Sequence, residues 1–399
     1  MRLESRLLVI ACGVALVAAA CGGGGDGGAT GGGAGEPEPK IGEPEGELNL
    51  IAWSGYVESG ENDPKYDWVT PFENRTGCRI NVKYGDTSDE MVTLMRQGGG
   101  KVYDGVSASG DASNRLIAAG DVAEIDTSLI PGFQDVMPSL QSPQHNTVDQ
   151  KHYGVPYLWG PNVLMYNTEV VKPAPKSWAV TWDSDSPYAG KVTAYDSPIF
   201  IADAAMYLNA HNPDLGITDP YELTSEQLDA AIELLRQQSE IIGKYWALYS
   251  DEIDGFASGD LVVGTAWPYQ VNTLQADKEP VDAVFPQEGM TGWADTWMMS
   301  SNAPHPNCMY EWMKWTMTPK VQSGAATWFG ATPSLETACG PLKKAIGKPA
   351  DTVYHCGDEE FLSDIYLWKT PLPDCGDDRG NVCADYSEWT TRWQEVRGQ

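Results

Sequence analysis

The chain has 399 residues and a formal net charge of −30, with 26 Lys and Arg against 56 Asp and Glu. That charge argues against nucleic acid and disfavours anionic lipid surfaces as direct partners, since binding either needs clustered cationic side chains, whereas an acidic surface favours a cationic small molecule as well as solubility. The length suffices for two lobes with cores of their own, and 15 Trp against 7 Phe point to flat amphipathic surfaces that serve a ligand or a core equally.

The first six residues carry Arg2, Arg6 and Glu4, and "LLVIACGVALVAAA" at 7–20 is uncharged. That run is short for a bilayer span and right for the apolar part of an export signal. Cys21 follows, then "GGGGDGGATGGGAG". Small residues before a cysteine and a glycine tether after it resemble a bacterial lipoprotein signal, with Ala18 where that pattern prefers Leu. The resemblance implies a signal peptide at 1–20, lipidation of Cys21 and an exported, lipid-anchored protein. A plain secretory signal with a loose tail is the alternative. Residues 21–46 read as a Gly/Pro/Glu-rich tether.

Residues 48–52 predict a short buried strand, which delivers Trp53, Ser54 and Tyr56 at its end. Such residues pack well, and they also suit a site at a strand's carboxyl end, where α/β sheets bind ligands. Strands are predicted at 79–84 and 102–107, and helices at 88–97 and 112–119, the second stopped by Gly120. This alternation implies a mostly parallel, doubly wound sheet. The best helix spans 225–242, with Thr224 and Gln227 forming a capping box. A buried strand at 260–267 ends in Trp267, and "EGMTGWADTW" at 288–297 supplies Trp293 and Asp295. Three segments thus bring a tryptophan to a strand or turn.

Signatures of chemistry are missing from the sequence. There is no GxSxG elbow, HExxH or Walker loop, and "QGGGK" at 97–101 lacks phosphate-loop spacing. The five histidines are scattered. No uncharged apolar run reaches the 18 residues of a membrane span. Beyond Cys21 there are six cysteines, an even number that reads in an exported chain as three disulfides, with fifteen possible connectivities. Cys375 and Cys383 flank the turn-rich "GDDRGNV" and are expected to pair. Cys339–Cys356 and Cys78–Cys308 complete the expected set. Zinc is disfavoured because there is no CxxC pair.

"LNLIAWSGYV", "YDGVSASGDASNRLIAAGDVAEID", "YGVPYLWGPNVLMYN", "GDLVVGTAWPYQ" and "GWADTWMMSSNAPHP", in that order after an export signal, resemble the spermidine/putrescine-binding proteins of bacterial ABC transporters. The resemblance runs over about residues 47–399. It implies a two-lobed α/β periplasmic-binding-protein fold of type II kind, each lobe a doubly wound, mostly parallel sheet. Lobe 1 is expected at 47–155 and 291–340, and lobe 2 at 156–290 and 341–399. It further implies a monomer that holds a polyamine in the cleft, hands it to a membrane permease, uses no cofactor or metal and catalyses nothing. Carried over residue by residue, the ligand set is Trp53, Ser54, Tyr56, Ser109, Trp267, Trp293 and Asp295. Asp111 stands where the family has an aromatic and is expected to supply a carboxylate. The departures are Ser197 and Phe200 where acids are usual, with Asp196 just before, Lys369 in place of a glutamine, and "GATP" at 330–333 without the family's tyrosine. Aromatic faces cover methylenes and attract ammonium groups, and a carboxylate fixes an ammonium by a charge-assisted hydrogen bond. The altered acids keep open another amino compound, such as an opine-like ligand, on the same fold. A secreted hydrolase would need a nucleophile or metal constellation that the sequence does not show.

Overall fold

A computed structural model describes residues 40–398, so the expected signal segment and Cys21 lie outside the described residues. In chain order the strands are β1 (Glu47–Ala52), β2 (Arg79–Tyr84), β3 (Gly105–Ala108), β4 (Thr147–Val148), β5 (Lys151–His152), β6 (Val155–Pro161), β7 (Val163–Asn167), β8 (Val192–Tyr195), β9 (Ile242–Trp246), β10 (Val263–Ala266), β11 (Val281–Val284), β12 (Met290–Met299), β13 (Thr332–Pro333) and β14 (Ile365–Leu367). They form two main sheets. The first runs β13-β6-β12-β3-β1-β2, with β14 also on β12, and the second runs β11-β7-β10-β8-β9. A small hairpin, β4-β5, stands apart.

Within the first sheet β2, β1 and β3 are parallel, and β12 lies antiparallel to both β3 and β6. In the second, β9, β8 and β10 are parallel and β7 runs against β10 and β11. This is the two-lobed, mixed α/β arrangement, with helices filling the crossovers that parallel pairing requires. The expected boundary at 155/156 falls at the head of β6, which pairs with β12 in the first sheet.

Two strand passages link the lobes, β6 into β7 and β11 into β12. They are tied where they cross. Asn162 donates its backbone N–H to the Thr291 carbonyl (2.8 Å) and its Nδ2–H to Thr291 Oγ1 (2.6 Å), while Thr291 Oγ1 donates to Asp203 (2.9 Å). A third passage leaves β14 and reaches helix Tyr386–Arg397, which packs on helix Ser225–Ser239 of the second lobe.

Local departures from the predicted elements have identifiable causes. The long helix stops at Ser239, because Ile242, apolar and in phase, begins β9 instead. The strand expected from 102 starts at Gly105, after the buried Asp104 turns the chain by accepting the N–H groups of Asn49 and His305. The next helix begins at Gly110, two residues early, with Ser109 as its N-cap. The helix at 88 ends at Met95, and the strand expected over 260–267 is confined to Val263–Ala266. Disulfides join Cys78 to Cys308, Cys339 to Cys356 and Cys375 to Cys383, the same three pairs read from the sequence.

Tryptophan divides between core and cleft. Trp159, Trp246, Trp297, Trp312 and Trp389 are fully buried packing. The others of interest gather where the two sheets point their strand ends at each other.

Candidate ligand-binding site

A thin cavity lies between the lobes. From the first lobe it is lined by Trp53 and Ser54 after β1, Gly85 and Asp86 after β2, Ser109 after β3, and Trp293 and Asp295 on β12. From the second come Ala247, Leu248 and Tyr249 after β9 and Trp267 after β10. Phe329, at the end of helix Pro319–Phe329, and Trp368, one residue past β14, close it. Every parallel strand that contributes does so at its carboxyl end. The space measures about 40 Å³ to the centres of water-sized spheres, room for about three waters. A bound molecule must therefore be slender or must part the lobes.

Asp295 is the chemical centre. It is 3% exposed. Tyr56 Oη donates to its Oδ2 at 2.6 Å and Ser109 Oγ to its Oδ1 at 2.5 Å. Burial pushes its carboxyl up to about 7, the two hydroxyl donors pull it back, and the neighbouring Asp111 charge adds to the rise. Among the described residues no Lys, Arg or His pairs with it; its partners are hydroxyls. A buried carboxylate without a counter-cation is costly, so the site is electrostatically prepared for a cation from outside.

Aromatic walls surround this charge. Trp53 and Trp368 each stand 6.5 Å from Trp267 in edge-to-face geometry, and Trp293 meets Phe329 edge-on at 5.9 Å. Tyr195 stacks on Trp368 at 5.7 Å from behind. Two glycines make these approaches possible. A Cβ on Gly110 would lie 1.7 Å from the Trp368 carbonyl oxygen, and one on Gly160 would lie 2.8 Å from the Trp293 ring.

Six of the eight residues read from the sequence thus line one cavity: Trp53, Ser54, Ser109, Trp267, Trp293 and Asp295. Tyr56 and Asp111 take other places. Tyr56 is fully buried and supports Asp295 from below. Asp111 is buried in the first turn of its helix, where Ser88 Oγ donates to it at 2.9 Å and burial pushes its carboxyl up to about 6. It bears on the site through its charge and not through a lining contact. Asp196 turns away to pair with Arg397. Lys369 points outward to Asp219, Glu222 and Gln144.

Seven lining residues were missed by sequence reasoning: Gly85, Asp86, Ala247, Leu248, Tyr249, Phe329 and Trp368. Phe329 stands one residue before the "GATP" noted for lacking a tyrosine, and Trp368 one before Lys369. Both were within a residue of a position already in view.

Residues 67–344 match the family model described as "Bacterial extracellular solute-binding protein". The chain belongs to that family. Among curated members it is similar to a spermidine/putrescine-binding periplasmic protein of Haemophilus influenzae, 24% identical over 352 residues covering 87% of this chain and 88% of that one. It is also similar to a putrescine/agmatine-binding protein of Pseudomonas aeruginosa, 26% identical over 332 residues, 76% of this chain and 85% of that one. Among solved structures, the PotD lipoprotein of Treponema pallidum superposes with a TM-score of 0.71 at 19% identity, covering 88% of this chain and all of that one. At that identity the likeness establishes the fold of this solute-binding protein, two lobes around a cleft, and leaves the ligand to the residues of the cavity.

Proposed function

We propose that this solute-binding protein captures a polyamine, of the spermidine/putrescine class, between its lobes and presents it to the permease of an ABC importer. The observation that carries the reading is the buried carboxylate of Asp295, held by two hydroxyls, walled by indoles and, among the described residues, without a cationic partner. An alkylammonium supplies the missing charge, and its methylenes lie against Trp53, Trp267, Trp293 and Trp368. Binding closes the lobes about the tied crossing at Asn162 and Thr291, a hinge motion. The named amine-binding relatives support the same ligand class. In this reading the protein works as a monomer, exported and held to the membrane by a lipid on Cys21. Replacing Cys21 by Ser then abolishes lipid labelling and releases the protein from membranes, and unchanged fractionation would remove the anchor.

Calorimetric titration with putrescine and spermidine, against amino acids and sugars, tests the ligand class. Saturable heats confined to amines are expected; silence with both amines beside binding of a sugar would overturn the reading. One observation favours a second ligand class. Among the described residues the indole N–H groups of Trp53, Trp293 and Trp368 at the cavity have no hydrogen-bond partner, as is also the case for Trp159, Trp297, Trp312 and Trp389 in the core. Indole N–H is a donor only, so an amino compound that also carries an acceptor, as an opine does, would answer both features. Tighter binding of such a zwitterion than of any polyamine in the same titration would decide for it.

A further inference from the structure

Asp86 plays no part in the reading so far, although it lines the cavity. Its place is set by sheet register. In the first sheet Ala52 pairs with Tyr84, Ile51 with Val106, and Thr296 with Ala108. Asp86 stands two residues past β2 and Ser54 two past the adjoining β1, where the chain turns at Trp53–Tyr56, and the β3–β12 register carried one residue on puts Ser109 beside Asp295. The contact of Ser109 Oγ with Asp295 Oδ1 at 2.5 Å bears out the last step. All four residues line the same cavity. The first lobe therefore carries a transverse row, Asp295, Ser109, Ser54, Asp86, with a carboxylate at each end and two hydroxyls between. Across the gap the strand ends of the second lobe supply Ala247, Leu248, Tyr249 and Trp267, which carry no charge.

Resting on the amine reading above, we propose that Asp86 is the second cation-binding carboxylate of the site and that the row selects a ligand of triamine length. Asp86 lies at the exposed mouth, and among the described residues its carboxylate has no recorded ion pair, since the nearby Lys83 pairs with Glu90. The row crosses three strand spacings, roughly 14 Å. Each ammonium stands about 2.8 Å from its carboxylate oxygen, which leaves roughly 8–9 Å between terminal nitrogens. With C–C bonds of about 1.5 Å in a zigzag, a four-carbon diamine reaches roughly 6 Å and the nine-bond chain of spermidine roughly 11 Å. The diamine anchored at Asp295 falls short of Asp86. The triamine reaches it with slack, and its central nitrogen passes the hydroxyls of Ser54 and Ser109. Both terminal charges are then gathered by one lobe, and the other closes over the chain as an aromatic cover.

Calorimetry of the full chain and of Asp86→Asn with spermidine, putrescine and n-butylamine tests this. The expected result is tighter binding of spermidine than of putrescine by the native protein. Asp86→Asn should weaken spermidine about three- to five-fold, the range of a solvent-exposed ion pair, and leave n-butylamine unchanged. Unchanged spermidine affinity in the variant, or an equal loss for all three amines, overturns the role of Asp86 while leaving the amine reading intact. Putrescine binding as tightly as spermidine in the native protein overturns the length selection. Absence of binding by every amine overturns both readings together.

Discussion

The phenol of Tyr56 donates to Oδ2 of Asp295 at 2.6 Å, a bond that joins residues 239 positions apart in the chain. Tyr56 is itself sealed from solvent, so the bond holds the carboxylate from the protein side and leaves the cavity side to the ligand. Removing the donor leaves one buried oxygen unsatisfied and disfavours the charged form. Tyr56→Phe should raise the Asp295 pKa further above its present value of about 7. Amine affinity at neutral pH should fall about five- to ten-fold, with recovery toward native affinity at pH 9. Titrations at pH 7 and 9 check this; a loss that does not change with pH would make Tyr56 a packing residue only.

Asp295→Asn keeps shape and deletes charge. A lost charged partner in a buried site costs about 1.5–3 kcal/mol, roughly ten- to hundred-fold in affinity. Folding should not suffer, since among the described residues the buried native carboxylate has no cationic partner. The melting temperature at pH 8 should stay level or rise. A fall would assign Asp295 to holding the crossing strands instead.

The ligand-free protein should melt higher at pH 5.5 than at pH 8. Burial pushes Asp295 and Asp203 up to about 7 and Asp111 up to about 6, and lifts Glu252 well above the carboxylate range. These acids release their protons near pH 4 in the unfolded chain. Between pH 4 and 7 the folded state holds more protons, so stability grows on acidification and is lost as pH rises through about 7. His145 and His152 oppose this below their ordinary pKa, because burial pushes His145 down to about 4 and also lowers His152, but they are two groups against four. A polyamine favours ionised Asp295, so the melting shift it produces should be larger at pH 8 than at pH 5.5. Differential scanning calorimetry across this range decides it.

Away from the cavity, Arg115 on helix Gly110–Ala118 pairs with Asp89 at 2.5 Å, and its guanidinium lies 4.3 Å from the ring centre of Tyr386. Tyr386 heads the helix packed on the second lobe, so this contact bridges the lobes without touching ligand. A cation–π contact of about 0.5–1 kcal/mol favours the closed arrangement. Tyr386→Leu should weaken amine binding about two- to five-fold, mainly through faster dissociation in stopped-flow fluorescence. Unchanged release would leave the contact no part in closure.

Much of the fold was legible because strong local signals agree: the alternation of 48–52 and 79–84 with helices, the capping box at Thr224, the cysteines around a turn-rich loop. The end of the long helix was not legible, since Ile242 satisfies helical spacing and strand pairing alike and tertiary pairing decides. Within the site, Trp53, Trp293 and Asp295 stood out by residue type at strand ends. Asp86 did not, because an acid after "KYG" looks solvated until register sets it in line with Asp295. Asp111 misled for the converse reason: a carboxylate two residues past Ser109 lies near the site in sequence, yet the helix begun at Gly110 turns it inward to Ser88.

The second sheet is built from one unbroken stretch, 163–284, whereas the first draws its strands from 47–108, 155–161, 290–299, 332–333 and 365–367. In a chain that emerges from its amino end, the later lobe can therefore complete its sheet while the earlier one still lacks β12 and β14. The exposed edge of β3 must wait for β12, some 180 residues downstream. Cys78 must likewise wait for Cys308, 230 residues on. The half of the site that carries Asp295 is thus the last to exist, and a chain cut short before β12 yields the aromatic cover without that buried carboxylate.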